Sequence, residues 1–158
     1  MELHVDVEPF AFLIGTWSGE GRGHYPTIDD FTYTETITFT AIPGKPFLKY
    51  EQRTMSPTGT PMHTESGFLR FVGGDALEFT LAQPTGQVEI LEGTTSTDHR
   101  SLTFTSTSVG NSPTAKTVTS TARRYTLDEN LTAIHSEFDM AAVGVDATNH
   151  LTSDLRKA

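Results

Sequence analysis

No cysteine occurs in the 158 residues of this chain. That excludes disulfides, thiolate-bound metals or clusters, and a cysteine nucleophile. It fits a reducing compartment. Long apolar runs are missing too: no stretch approaches the ~18 apolar residues that a membrane-spanning helix needs. Met1 to Ile14 hold Glu2, Asp6 and Glu8 but no lysine or arginine, so the positive start of a secretory signal is absent. Basic residues are few overall, 11 against 20 acidic, for a formal net charge of −9. A nucleic-acid surface needs clustered cations to displace counterions. The expectation is one soluble cytoplasmic domain over residues 1–158, with small-molecule partners and neither nucleic acid nor membrane.

What is present reads as strands. Threonine and phenylalanine favour them, and the 13 glycines and 8 prolines punctuate them. Val7 to Ile14 is the exception, a short apolar segment with Pro9 near its start, which suits a turn or two of helix ended by Gly15. From there period-two alternation takes over. Strands are expected at Trp17–Tyr25, Phe31–Thr40, Phe47–Thr54, His63–Val72 and Leu77–Gln83. They continue at Gln87–Thr97, Ser101–Val109, Lys116–Leu127, Leu131–Val143 and Thr148–Arg156. The second of these puts Phe31, Tyr33, Glu35, Ile37 and Phe39 on one face.

The connections are short, with Pro43-Gly44, Pro84-Thr85-Gly86 and Asp128-Glu129-Asn130 as clear turns. About ten antiparallel strands at this spacing imply an all-β, up-and-down barrel. Closure also removes the sheet edges that a threonine-rich chain would expose. A barrel of eight to ten strands has room for one small ligand.

Two strings stand out within this pattern. Gly15-Thr16-Trp17-Ser18-Gly19-Glu20-Gly21 places glycines where a first strand can bend hard at a barrel corner, and a tryptophan able to plug one end. It is no dinucleotide fingerprint, since no Gly-x-Gly-x-x-Gly opens a helix. Asn149-His150-Leu151 lies on the last strand.

These strings, together with Tyr25-Pro26-Thr27-Ile28, Pro43-Gly44-Lys45-Pro46-Phe47-Leu48 and Pro113-Thr114-Ala115-Lys116, resemble the nitrobindin family in its mycobacterial type. The resemblance runs from about Phe12 to Leu155, nearly the whole chain. It implies a ten-stranded barrel like that of fatty-acid-binding proteins and other calycins. It implies one b-type haem per chain, ferric, with a single axial histidine from the last strand. It also implies an enzyme, a peroxynitrite isomerase that yields nitrate and can bind nitric oxide. Carried over by position, the axial and catalytic histidine is His150. Thr27 and Lys116 would lie at the haem, Lys116 facing a propionate. Gly15, Trp17, Gly19 and Gly21 would wall the cofactor from solvent. A homodimer stays open.

The residues can be weighed without the resemblance. There are six histidines. His4 and His99 read as solvated, and His135 as exposed on its strand. His150 shares its face with Thr148, Thr152 and Asp154, so an inward His150 would turn Leu151 and Leu155 outward. That is a tension in the pattern. Met55, Met62 and Met140 fit core or loop positions better than a metal. The His-x-Glu of His63 and Glu65 lacks the second histidine and the helix of a zinc protease. Three readings compete with a haem enzyme: a carrier of a fatty acid or other apolar ligand, a nitric oxide sensor or haem carrier, and an acyl- or lipid-processing enzyme, which lacks a placed nucleophile and base.

Overall fold

A computed structural model describes residues 1–158. A 3-10 helix, Glu8–Leu13, precedes ten strands. These are β1 (Gly15–Tyr25), β2 (Ile28–Ala41), β3 (Phe47–Met55), β4 (Pro61–Phe71) and β5 (Ala76–Ala82). The second half comprises β6 (Gln87–Thr95), β7 (Ser101–Asn111), β8 (Val118–Leu127), β9 (Ala133–Ala142) and β10 (Val145–Lys157). Every strand pairs with its sequence neighbours, and β1 closes on β10. The sheet is therefore an up-and-down barrel without a free edge. No helix is long and apolar enough to cross a membrane.

Each strand expected from alternation is present, with some shifted bounds. β8 starts at Val118 and leaves Lys116 in a loop. The Asn111 side chain closes that loop: Nδ2 donates to the Val118 carbonyl and Oδ1 accepts from the Val118 N–H, both at 2.9 Å. β9 starts at Ala133 because Leu131 sits at φ 58°, outside the strand region. Asp128 Oδ1 then accepts from the N–H groups of Thr132 and Ala133 at 2.8 and 3.0 Å.

The 3-10 helix plugs one end of the barrel. Val7, Phe10 and Leu13 are buried there against Trp17, whose side chain has no exposed surface. Trp17 Nε1–H donates to the Leu13 carbonyl at 2.9 Å, so the indole packs with its one polar atom satisfied. Phe10 stacks on Phe71 and on His99, both at 4.7 Å between ring centroids. His99 is thus part-buried beneath the plug, not solvated as its turn sequence suggests.

The glycines of β1 have a local use. Gly21 lies opposite Tyr33 of β2, and Gly23 opposite Phe31. A Cβ at either position would overlap the facing ring. These two aromatic side chains lie flat on bare backbone, which keeps the far end of the barrel open.

Candidate functional site

That open end is a cavity of about 730 Å³, within the ~300–1,000 Å³ range of ligand pockets. His150 lines it, as do Thr27 and Lys116. Gly15, Trp17, Gly19 and Gly21 do not. Trp17 belongs to the plugged end, and Gly21 stands behind the Tyr33 ring. The glycine string shapes the wall without forming the lining.

The His150 tension is resolved by a β-bulge. Asn149 pairs with Asp139 of β9, and Leu151 pairs with the next residue, Phe138. His150 is the extra residue between them, so it and Leu151 both line the cavity. Strict alternation resumes beyond it, with Ser153 and Leu155 buried and Asp154 exposed.

His150 is held by its back nitrogen. Nδ1–H donates to the His24 carbonyl oxygen at 3.0 Å. A carbonyl only accepts, so Nδ1 carries a proton, and in the neutral ring Nε2 then keeps its lone pair. The β1–β10 register ends at Gly23 and Leu151, which makes the His24 carbonyl the next group along. Tyr25, Phe31 and Phe138 surround the imidazole, with ring centroids 5.3, 6.2 and 6.1 Å away. Burial lowers the proton affinity of His150 below the ordinary histidine value. The carbonyl bond works against this, and the neighbouring His63 and His24 reinforce it. An imidazole held in this way can act as a nitrogen donor to iron or another borderline metal.

At the rim, Lys116 is exposed and enters none of the chain's ion pairs. Its carbonyl accepts from Gln87 Nε2 at 2.9 Å, which ties the loop to β6. Thr27 sits in the exposed turn between β1 and β2. Met62 and Met140 also line the cavity, so they are walls of the site as opposed to general core. Met55 lies outside it and is exposed.

The base of the cavity is charged, a feature with no counterpart in the sequence reading. Arg123 of β8 is buried. Its Nη1 donates to Glu65 Oε1 at 2.6 Å and its Nη2 to Glu65 Oε2 at 3.1 Å. The same guanidinium reaches Glu89, from Nη2 at 2.6 Å and Nε at 3.3 Å. Its Cζ lies 4.6 Å from the centre of the Phe138 ring, a cation–π contact. Burial alone would raise the Glu65 carboxyl, but the Arg123 charge and hydrogen bonds from His63 and Arg123 hold it well below the usual range. Glu35 has no such partner. Burial and the nearby Glu65 push it up to about 7, against weak hydrogen bonds from Gln52 and Ser153 at 3.5 and 3.3 Å.

The signal for this cluster was present as a broken pattern. Glu35, Glu65 and Arg123 occupy inward positions of alternating strands. Charged residues almost never fill such places unless paired. His63, two residues before Glu65 and on the same face, also lines the cavity; its Nε2 lies 3.7 Å from Glu65 Oε2.

A closed meander barrel with a cavity at its open end, and an imidazole fixed by its back nitrogen in that lining, defines a small-ligand β-barrel. The chain belongs to the THAP4-like, heme-binding beta-barrel domain family, the nitrobindins, whose model matches residues 6–157. It is 44% identical to a protein of Nocardia farcinica named peroxynitrite isomerase, over 98% of this chain and 92% of that one. It is 40% identical to peroxynitrite isomerase 2 of Mycobacterium ulcerans, over 99% and 97% of the two chains. Among solved structures, Rv2717c from M. tuberculosis superposes with a TM-score of 0.92 at 36% identity, covering 99% of both chains.

Proposed function

We propose that this chain, as one domain over residues 1–158, is a peroxynitrite isomerase that works with one ferric b-type haem held by His150. The observation that carries the reading is the committed tautomer of His150: Nδ1–H is spent on the His24 carbonyl, and Nε2 is free toward the cavity. The names of the relatives support it.

The residues present fit a haem. His150 supplies one neutral axial nitrogen, and Tyr25, Phe31, Phe138 and Leu151 offer apolar and aromatic walls for a flat macrocycle. Lys116, an unpaired cation at the rim, suits a propionate. When bound, haem would supply an iron with one coordination position open to peroxynitrite or nitric oxide. The chain's own contribution is to bind, orient and shield. The His24 carbonyl steadies the imidazole and raises its basicity as a ligand. The apolar walls would keep bulk water away from a substrate bound at the site. A cytoplasmic setting fits the lack of cysteine.

The cavity argues against a fatty-acid carrier. A free buried cation would favour such a carrier by meeting the carboxylate head. Here the one buried cation, Arg123, is already clamped between Glu65 and Glu89.

The test is a haem titration of wild type beside His150→Ala, followed by stopped-flow mixing of the loaded protein with peroxynitrite. One haem per chain and faster conversion to nitrate, both lost with His150, support the reading. Haem uptake indifferent to His150, or unchanged peroxynitrite decay, overturns it.

A further inference from the structure

We propose that the base of the cavity is a second binding site, separate from the His150 seat, that takes the ammonium head of a primary amine carrying an apolar tail. The site is built by Glu35 and Tyr33 of β2 and Gln52 of β3. Their relative exposures are 6%, 3% and 5%, and all three line the cavity.

Two of their polar atoms are orphans. Tyr33 Oη and Gln52 Oε1 are buried with no hydrogen-bond partner. A native interior leaves few such atoms, because an unpaired buried polar atom loses its water partners with nothing in exchange. Gln52 Nε2 is already directed to Glu35 Oε2, which leaves Oε1 as the free acceptor.

The charge balance points the same way. Three buried carboxyl groups, Glu35, Glu65 and Glu89, face one buried guanidinium. Arg123 spends its donors on Glu65 and Glu89, so Glu35 has no cation of its own. An ammonium carries three N–H donors and no acceptor. The Glu35 carboxylate, Gln52 Oε1 and Tyr33 Oη supply three acceptors to match. Burying a charge is favourable only when its hydrogen bonds and countercharge are both provided, and here both are. A carboxylate head would meet surplus negative charge. No group of three metal-ligating side chains converges in the structure, so a metal ion is not the fitting occupant. Met62, Val109 and Val118, cavity residues outside the haem walls, are the apolar lining left for a tail. Phe31 and Glu35 are four residues apart on one strand, about 13 Å at strand rise. The base is therefore reached past the His150 level.

The groups facing Glu35 set how binding responds to pH. Tyr33 shares its strand; Tyr50 of β3, Glu65 of β4, Arg123 of β8 and Ser153 of β10 approach from the others. The empty site holds Glu35 partly protonated near neutrality. A bound ammonium stabilises the carboxylate, so binding releases a proton.

The experiment is calorimetric titration of the full chain with hexylammonium, first without haem and then loaded with it. Hexanoate and hexanol serve as controls. Expected results are one-to-one binding of hexylammonium with proton release at pH 7, seen as an enthalpy that varies with buffer, and no binding of hexanoate. Glu35→Gln, which keeps the shape of the side chain, should weaken binding roughly 10-fold or more and abolish the proton release. Tyr33→Phe should weaken it by a smaller factor. Hexylammonium binding no tighter than hexanol, or unchanged in Glu35→Gln, means that water alone fills the base and overturns the proposal. Loss of binding on haem loading overturns the separateness of the two sites. The haem-free arm reads the same whether or not His150 binds iron, so failure here is distinguishable from failure of the haem reading.

Discussion

His150 reaches the cavity as a bulge residue, and its Nδ1–H is fastened to the carbonyl oxygen of His24 at 3.0 Å. Both facts come from the same irregularity. Without the extra residue, Leu151 and its neighbour would face opposite sides of the sheet. Deleting Asn149 should therefore restore regular pairing and move His150 into the outward place that Asn149 now holds opposite Asp139. The expected variant keeps the far-ultraviolet signature of the barrel but takes up no haem. A variant that loads haem normally would show that the bulge is dispensable.

How much of this was legible in the sequence differs by element. The barrel was, because inward and outward residues alternate along nearly every strand and turn residues separate them. The short helical segment was too, from Pro9 and the apolar run around it, though not its place as a plug. The orientation of His150 was not. A bulge is a relation between two strands, and Asn149-His150-Leu151 read alone shows only period two. The charged base was visible only as Glu35, Glu65 and Arg123 in apolar places. Which of them pair depends on strands far apart in the chain, as with Glu65 and Arg123, separated by 58 residues. Trp17 belongs to the plugged end, and Gly15 and Gly19 stay out of the cavity lining, because a first strand crosses the whole barrel and its sequence does not say which end faces the ligand.

Glu35 makes stability depend on pH. Its folded value of about 7 lies above the 4.5 of the unfolded chain. The folded state holds the proton more tightly, so this contribution is full below 4.5 and is lost as pH rises through about 7. At about 1.36 kcal/mol per unit the loss is at most about 3 kcal/mol. Glu35→Gln should gain on wild type by that order between pH 4.5 and 8, measured by urea unfolding at each pH. Parallel profiles for the two proteins would contradict the assignment.

Arg123 is the countercharge for two buried carboxylates. Arg123→Met should destabilise the chain by about 3–5 kcal/mol, since Glu65 and Glu89 are left uncompensated. Adding Glu65→Gln and Glu89→Gln to that variant should recover most of the loss. Chemical unfolding of the three proteins checks both statements.

Lys116 acts at the rim, in solvent. Lys116→Ala should weaken haem binding by only about 3–10-fold, with unchanged stoichiometry. The salt dependence of that affinity should fall as well. A titration at two ionic strengths reads both.

Trp17 holds the plug and not the ligand. Trp17→Ala should cost about 3–5 kcal/mol of stability, while any protein that remains folded still binds one haem per chain. Loss of haem from a folded Trp17→Ala variant would return the tryptophan to the site.

The most direct test of the account is the visible spectrum of the chain titrated with ferric haem, wild type beside His150→Ala. The account predicts a Soret band that saturates at one haem per wild-type chain. In His150→Ala it predicts affinity lowered by more than about 100-fold, with ligation restored by added imidazole. A His150→Ala protein that binds haem with the wild-type spectrum and affinity would contradict it.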